Sequence, residues 1–173
     1  RYVETAQRLH AAGYAVLLPD SFHWRGARKM CSTRYGERAV NMAQRVRDVR
    51  AALVWVAAQP RVDVQRIGLQ GWSNGASTAL HVLEQRQLHS MAGEPTLAGV
   101  ALFYPGCAPL MRRHAKLQAV PLLLQIGACD DWTPAQPCID LVTALKDRGD
   151  GDVTLHVYPD SYHGFDGTSP VRL

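Results

Sequence analysis

Gly71-Trp72-Ser73-Asn74-Gly75 sets a serine between two glycines, at a point where a short apolar run gives way to a segment free of Gly and Pro. A serine hydroxyl attacks a carbonyl only when a neighbouring base takes its proton. A tight G-x-S-x-G turn from strand to helix serves that chemistry, because it exposes the hydroxyl and offers the next backbone N–H to a developing oxyanion. Ser73 is therefore the candidate nucleophile and the N–H of Asn74 a candidate oxyanion donor. The flanking glycines are expected to let strand and helix approach each other closely.

In this type of site the acid follows the nucleophile in the chain and the histidine follows the acid. Asp130 lies just past the apolar run Pro121 to Gly127, and His163 lies in Pro159-Asp160-Ser161-Tyr162-His163-Gly164-Phe165, after the run Val153 to Tyr158. Asp131 is adjacent to Asp130 and could also reach an imidazole. The Gly127-x-x-Asp130 spacing from the strand end favours the first, leaving Asp131 as a helix cap or surface carboxylate. Asp160, on the same loop as His163, is poorly placed to approach the ring from behind.

Six other histidines compete with His163. His10, His81 and His89 fall on or near helices, His114 sits in a basic stretch, and His156 lies inside a strand, where its side chain points to a sheet face. His23 precedes the serine and is read as a pocket residue, not as the base. Phe22, Trp72, Tyr104 and Trp132 complete the candidate pocket wall, since aromatic side chains combine large apolar area with a fixed shape.

These groups need a scaffold that brings three loops to one edge. Tyr14 to Leu18, Arg66 to Gln70, Leu97 to Tyr104, Pro121 to Gly127 and Val153 to Tyr158 read as strands. Tyr2 to His10 reads as a helix stopped by Gly13, and Ala76 to Glu84 as the helix after the elbow. Met42, Val46, Val49, Leu53 and Val56 recur at steps of 4, 3, 4 and 3, which marks an amphipathic helix. Its other face carries Arg45, Arg47, Asp48 and Arg50 and is expected to be solvated; Ser21 to Arg38 is expected to be a loop over the site. Strands alternating with helices predict an α/β fold with a mostly parallel sheet covered by helices on both faces.

Four ordered segments give the chain a resemblance to the dienelactone hydrolase family of α/β-hydrolases. They are Ala11 to Phe22, Val64 to Gly75, Gly127 to Pro134, and Tyr162-His163-Gly164-Phe165. The resemblance implies Ser73 as nucleophile, His163 as base and Asp130 as the residue orienting the base, with no cofactor. It implies a serine hydrolase that cleaves an ester or lactone through an acyl-enzyme; many members carry cysteine at the elbow where this chain has serine. A thioesterase, a small-peptide hydrolase with the same triad, and a binding protein without activity are the alternatives. The family pattern also places strands and a second oxyanion donor upstream of Arg1, and a helix beyond the end, so residues 1–173 are read as a single incomplete domain. One of those upstream strands would lie between Tyr14 to Leu18 and Ile67 to Gln70.

The net charge is +4, with 47% hydrophobic residues. The arginines are spread over a helix face and loops and no aromatic-basic motif accompanies them, so a small molecule, and no nucleic acid, is the expected partner. No apolar run approaches a membrane span. Metal binding is not expected, because neither a CxxC nor an HExxH pattern occurs. Cys31, Cys107, Cys129 and Cys138 are compatible with reduced thiols in the cytoplasm, the favoured compartment, or with disulfides in a periplasmic or secreted protein; Cys129 to Cys138 is the pairing considered, closing a small loop around the acid.

Overall fold

The structure is a computed structural model that describes residues 2–27, 33, 37–84 and 91–167. Helices α1 (Tyr2–Ala11) and α2 (Met42–Ala57) precede a regular alternation: β1 (Gly68–Trp72), α3 (Asn74–Leu83), β2 (Gly99–Phe103), α4 (Ala108–Arg112), β3 (Leu122–Gly127), α5 (Gln136–Asp147) and β4 (Val153–Tyr158). The four strands lie side by side in sequence order and every pair is parallel. Each crossover helix returns the chain to the starting edge, so all four strands end on one side of the molecule.

Register separates the two faces of the sheet. Val100, Leu122 and Val153 are partners across the strands, as are Leu102, Leu124 and Leu155, and all but the half-buried Leu155 are buried. This face meets the helices: a Cβ on its Gly71 would stand 2.8 Å from the backbone of Ala76 in α3. The opposite face presents Gln70, Trp72, Ala101, Phe103, Leu123, Gln125 and His156, none of them fully buried. Helix α1 reaches that face through Tyr2, whose ring lies 5.3 Å from Trp72.

Several boundaries have local causes. Helix α1 stops at Gly13, which takes φ 89° while Tyr14 N–H bonds back to the Leu9 carbonyl, a glycine-dependent helix end. Helix α2 starts in a capping box, Asn41 accepting from Gln44 N–H and Gln44 accepting from Asn41 N–H. Strand β1 begins two residues later than expected. The Asp63 side chain accepts from Gln65 N–H and winds Val64–Arg66 into a turn of 3₁₀ helix first.

Other expectations need correction. Tyr14 to Leu18 forms no strand, and its apolar side chains are exposed, Leu18 by 51%. Apolar content does not make a strand without a neighbour to complete the ladder, and none of the described residues runs beside it. Arg50 is not solvated: it is 3% exposed, bonds the Val82 carbonyl and pairs with Glu94 at 3.5 Å. Four residues from Val46 and three from Leu53, it shares their buried face. Helices α4 and α5 went unread, although each carries a proline in its first turn and α5 buries Cys138, Leu141, Val142 and Leu145 along one side.

Cys107 bonds to Cys138, at a sequence separation of 31, and Cys129 is a free, exposed thiol. The Cys129 to Cys138 pairing is thus excluded. The bridge joins the segment after β2 to the first turn of α5. Cys31 and His89 lie outside the described residues, as do residues 28–32 and 34–36 of the expected loop from Ser21 to Arg38.

Candidate active site

The elbow serine sits between β1 and α3 with φ 50° and ψ −118°, a conformation costly for a residue with a side chain. Its N–H is tied to the Phe103 carbonyl of β2, and its own carbonyl accepts from Ser77 N–H in the first turn of α3. Gly71 is required here, because α3 passes directly over it; Gly75 faces open space, so lack of room does not explain a glycine there.

Three strand ends bring Ser73, Asp130 and His163 together. His163 Nε2 stands 2.8 Å from Ser73 Oγ, and His163 Nδ1 stands 2.8 Å from Asp130 Oδ2. The serine and histidine are 90 residues apart in sequence and the histidine and aspartate 33. Asp130 is buried, while Asp131 beside it is exposed. The buried carboxylate accepts from Trp132 N–H at 3.0 Å and Thr133 N–H at 2.7 Å, both on Oδ1. The Thr133 hydroxyl lies 2.9 Å from Oδ2.

Aromatic rings hold the imidazole on two sides. Tyr104, fully buried, meets it edge to face at 4.6 Å, and Trp132 stacks on it at 5.3 Å while remaining 66% exposed. Tyr104 follows β2 directly and has φ 41°, a second residue in the left-handed region at this edge of the sheet. The Asp166 carboxylate accepts from Trp72 Nε1–H and from the Tyr104 hydroxyl, each at 2.8 Å. One side chain of the histidine loop thereby links the ends of β1 and β2.

The expected pocket residues divide. Tyr104 and Trp132 contact His163; Trp72 stacks on Phe103 at 5.5 Å. Phe22 lies under the Arg45 guanidinium, 4.9 Å from its ring, and Arg45 bonds the Asn74 side chain next to Ser73. His23 is exposed and its ring meets Trp24. The Phe22–His23 turn is built by Asp20, whose carboxyl the Phe22 and His23 N–H groups hold below its ordinary value. Arg25 then ties the turn to α2 through two bonds to Asp48, which lower the Asp48 carboxyl likewise. Thr133 and Asp166 escaped the sequence reading. Their only signal was proximity in sequence to Asp130 and His163.

The described residues contain no group of three or more His, Cys, Asp or Glu able to hold a metal ion, and no helix long and apolar enough to cross a membrane.

Among solved structures, the chain is similar to esterase 2 of Thermogutta terrifontis in its apo form, with a TM-score of 0.61 and 22% identity over 75% of this chain and 58% of that one. It is similar to a carboxylesterase of Lactobacillus plantarum, with a TM-score of 0.56 and 19% identity over 69% of this chain and 54% of that one. These likenesses establish the α/β-hydrolase fold. Curated relatives include a protein called probable dipeptidyl-aminopeptidase B in Sordaria macrospora, 29% identical over an alignment of 141 residues that covers 67% of this chain and 15% of that protein. The chain thus spans about a seventh of the length of the curated relatives it matches. The dienelactone hydrolase family matches residues 1–171, and the chain belongs to that family.

Proposed function

We propose that this chain carries the catalytic residues of a serine hydrolase that cleaves carboxylic esters or lactones through an acyl-enzyme. The observation that carries the reading is the unbroken relay from Ser73 Oγ through His163 to Asp130, with both contacts at 2.8 Å. Asp130 is an acceptor facing Nδ1, so the neutral ring carries its proton there and leaves Nε2 free.

Ser73 Oγ attacks the carbonyl carbon as its proton passes to His163 Nε2, giving a tetrahedral oxyanion and an imidazolium that Asp130 stabilises. The backbone N–H of Asn74 opens α3, where N–H groups lack acceptors within the helix, and donates to that oxyanion. The imidazolium then returns the proton to the leaving alkoxide. Water, deprotonated by the same nitrogen, releases the acid and regenerates Ser73.

Cleavage of short peptides at the same triad is the second reading, favoured by the name of the Sordaria macrospora relative. A panel of p-nitrophenyl esters, lactones, thioesters and dipeptide p-nitroanilides, assayed on the full-length protein, separates the two. Faster turnover of esters or lactones supports the first reading; exclusive cleavage of anilides replaces it with the second.

A further inference from the structure

Thr133 combines two contacts to the acid with one to the base. Its backbone N–H donates to Asp130 Oδ1 at 2.7 Å, while its hydroxyl oxygen lies 2.9 Å from Asp130 Oδ2, 3.1 Å from His163 Nδ1 and 3.1 Å from the Tyr104 carbonyl oxygen. The residue therefore grips both oxygens of one buried carboxylate.

A hydroxyl has one proton to donate and two lone pairs to accept with. Asp130 Oδ2 and the Tyr104 carbonyl are both acceptors, so the Thr133 proton goes to one of them. When it goes to Tyr104, the Thr133 oxygen accepts from His163 Nδ1–H, which is then shared between Thr133 and Asp130. When it goes to Asp130, the carboxylate is fixed against rotation by bonds to both oxygens. Either arrangement keeps the ring proton on Nδ1 and the free lone pair on Nε2, facing Ser73.

We infer that Thr133 is a positioning residue of the relay, locking Asp130 and His163 into the geometry and tautomer that proton transfer from Ser73 requires. The inference rests on the triad reading given above. Thr133 acts through the carboxylate and the imidazole and touches no reacting atom.

The experiment compares Thr133→Val and Thr133→Ser in the full-length protein, alone and combined with Asp130→Asn. Valine keeps the branched shape and the backbone bond and puts a methyl group in place of the hydroxyl. The expected result is a drop in kcat of about tenfold, the scale of one hydrogen bond to a charged group, with KM unchanged and the serine variant near wild type. In the Asp130→Asn background the valine substitution should cost little more, since the group it acts through is already lost. The low-field proton resonance of His163 Nδ1–H should also move in Thr133→Val. A wild-type kcat in Thr133→Val, a serine variant as impaired as the valine one, or full additivity with Asp130→Asn overturns the inference. Ser73→Ala, run in parallel, reports separately on the triad: if that variant retains activity, the functional reading fails, not the role of Thr133 alone.

Discussion

Gly127 and Ser161 touch backbone to backbone: a Cβ on Gly127 would stand 2.1 Å from the Ser161 carbonyl oxygen. Gly127 ends β3 three residues before Asp130, and Ser161 stands two residues before His163, so the acid and base loops pass each other at this contact. Cys129 N–H bonds the same Ser161 carbonyl at 3.0 Å. Gly127→Ala must push the loops apart, because backbone cannot step aside as a flexible side chain can. The expected outcome is a loss of kcat on the order of 10²-fold, as for an ångström of misplacement. Unchanged turnover in this variant would show that the loops adjust independently.

Ser73→Ala in the full-length protein should lower kcat by on the order of 10⁴ or more, with substrate binding largely kept. A phosphonate probe should label Ser73 alone, read by peptide mass spectrometry. Labelling at another residue removes Ser73 from the nucleophile's role.

Asp130→Asn should cost far more activity than Asp131→Asn. Only Asp130 is buried against His163, and an amide there can donate to Nδ1 and favour the wrong tautomer. Steady-state kinetics of the pair decides it, and the reverse order would move the acid's role to Asp131.

The Cys107 to Cys138 bridge closes a long loop with 31 residues of sequence separation. Constraint of the unfolded chain over that length corresponds to roughly 3–4 kcal/mol. The double serine variant should therefore unfold at lower urea concentration than the oxidised protein, with no such gap once both are fully reduced. Equal midpoints under oxidising conditions would mean the bridge contributes nothing to stability.

A buried ionic cluster beyond the catalytic edge predicts acid sensitivity. Glu84, at the end of α3, takes two bonds from Arg113, and Arg113 also lies 3.0 Å from His81 Nδ1. Burial, reinforced by the Arg113 charge, pushes His81 below its ordinary 6.5. The ring is thus neutral in the fold, whereas the unfolded chain binds a proton below that value. The associated stability is complete above about pH 6.5 and declines as pH falls. For Glu84, burial is the largest single influence and works to raise the carboxyl, but the Arg113 bonds, the Arg113 charge and His81 together outweigh it and hold the carboxyl below its ordinary 4.5, so its contribution is lost at still lower pH. Urea titrations between about pH 7 and 5 should show falling stability that His81→Gln flattens; an identical decline in the variant would place the effect elsewhere.

The elbow and the strand-helix alternation were legible in the sequence, because each depends on residues near one another in the chain, and Asp130 and His163 could be picked out because each follows a recognisable strand. The glycine three residues before Asp130 favoured it over Asp131 without deciding between them; only Asp130 is buried against His163 in the fold. Tertiary structure decided the rest. Tyr14 to Leu18 has a strand's composition, but a ladder needs a neighbour that no local pattern supplies. Arg50 shows charge on a helix, yet its burial depends on the Val82 carbonyl and Glu94 arriving from elsewhere. The partner of Cys138 follows from how β2 and β3 align, not from spacing. Thr133 reveals its place only when β2, β3 and β4 bring the Tyr104 carbonyl, Asp130 and His163 within reach of one hydroxyl; its own neighbourhood in the chain carries no sign of a partner 30 residues away.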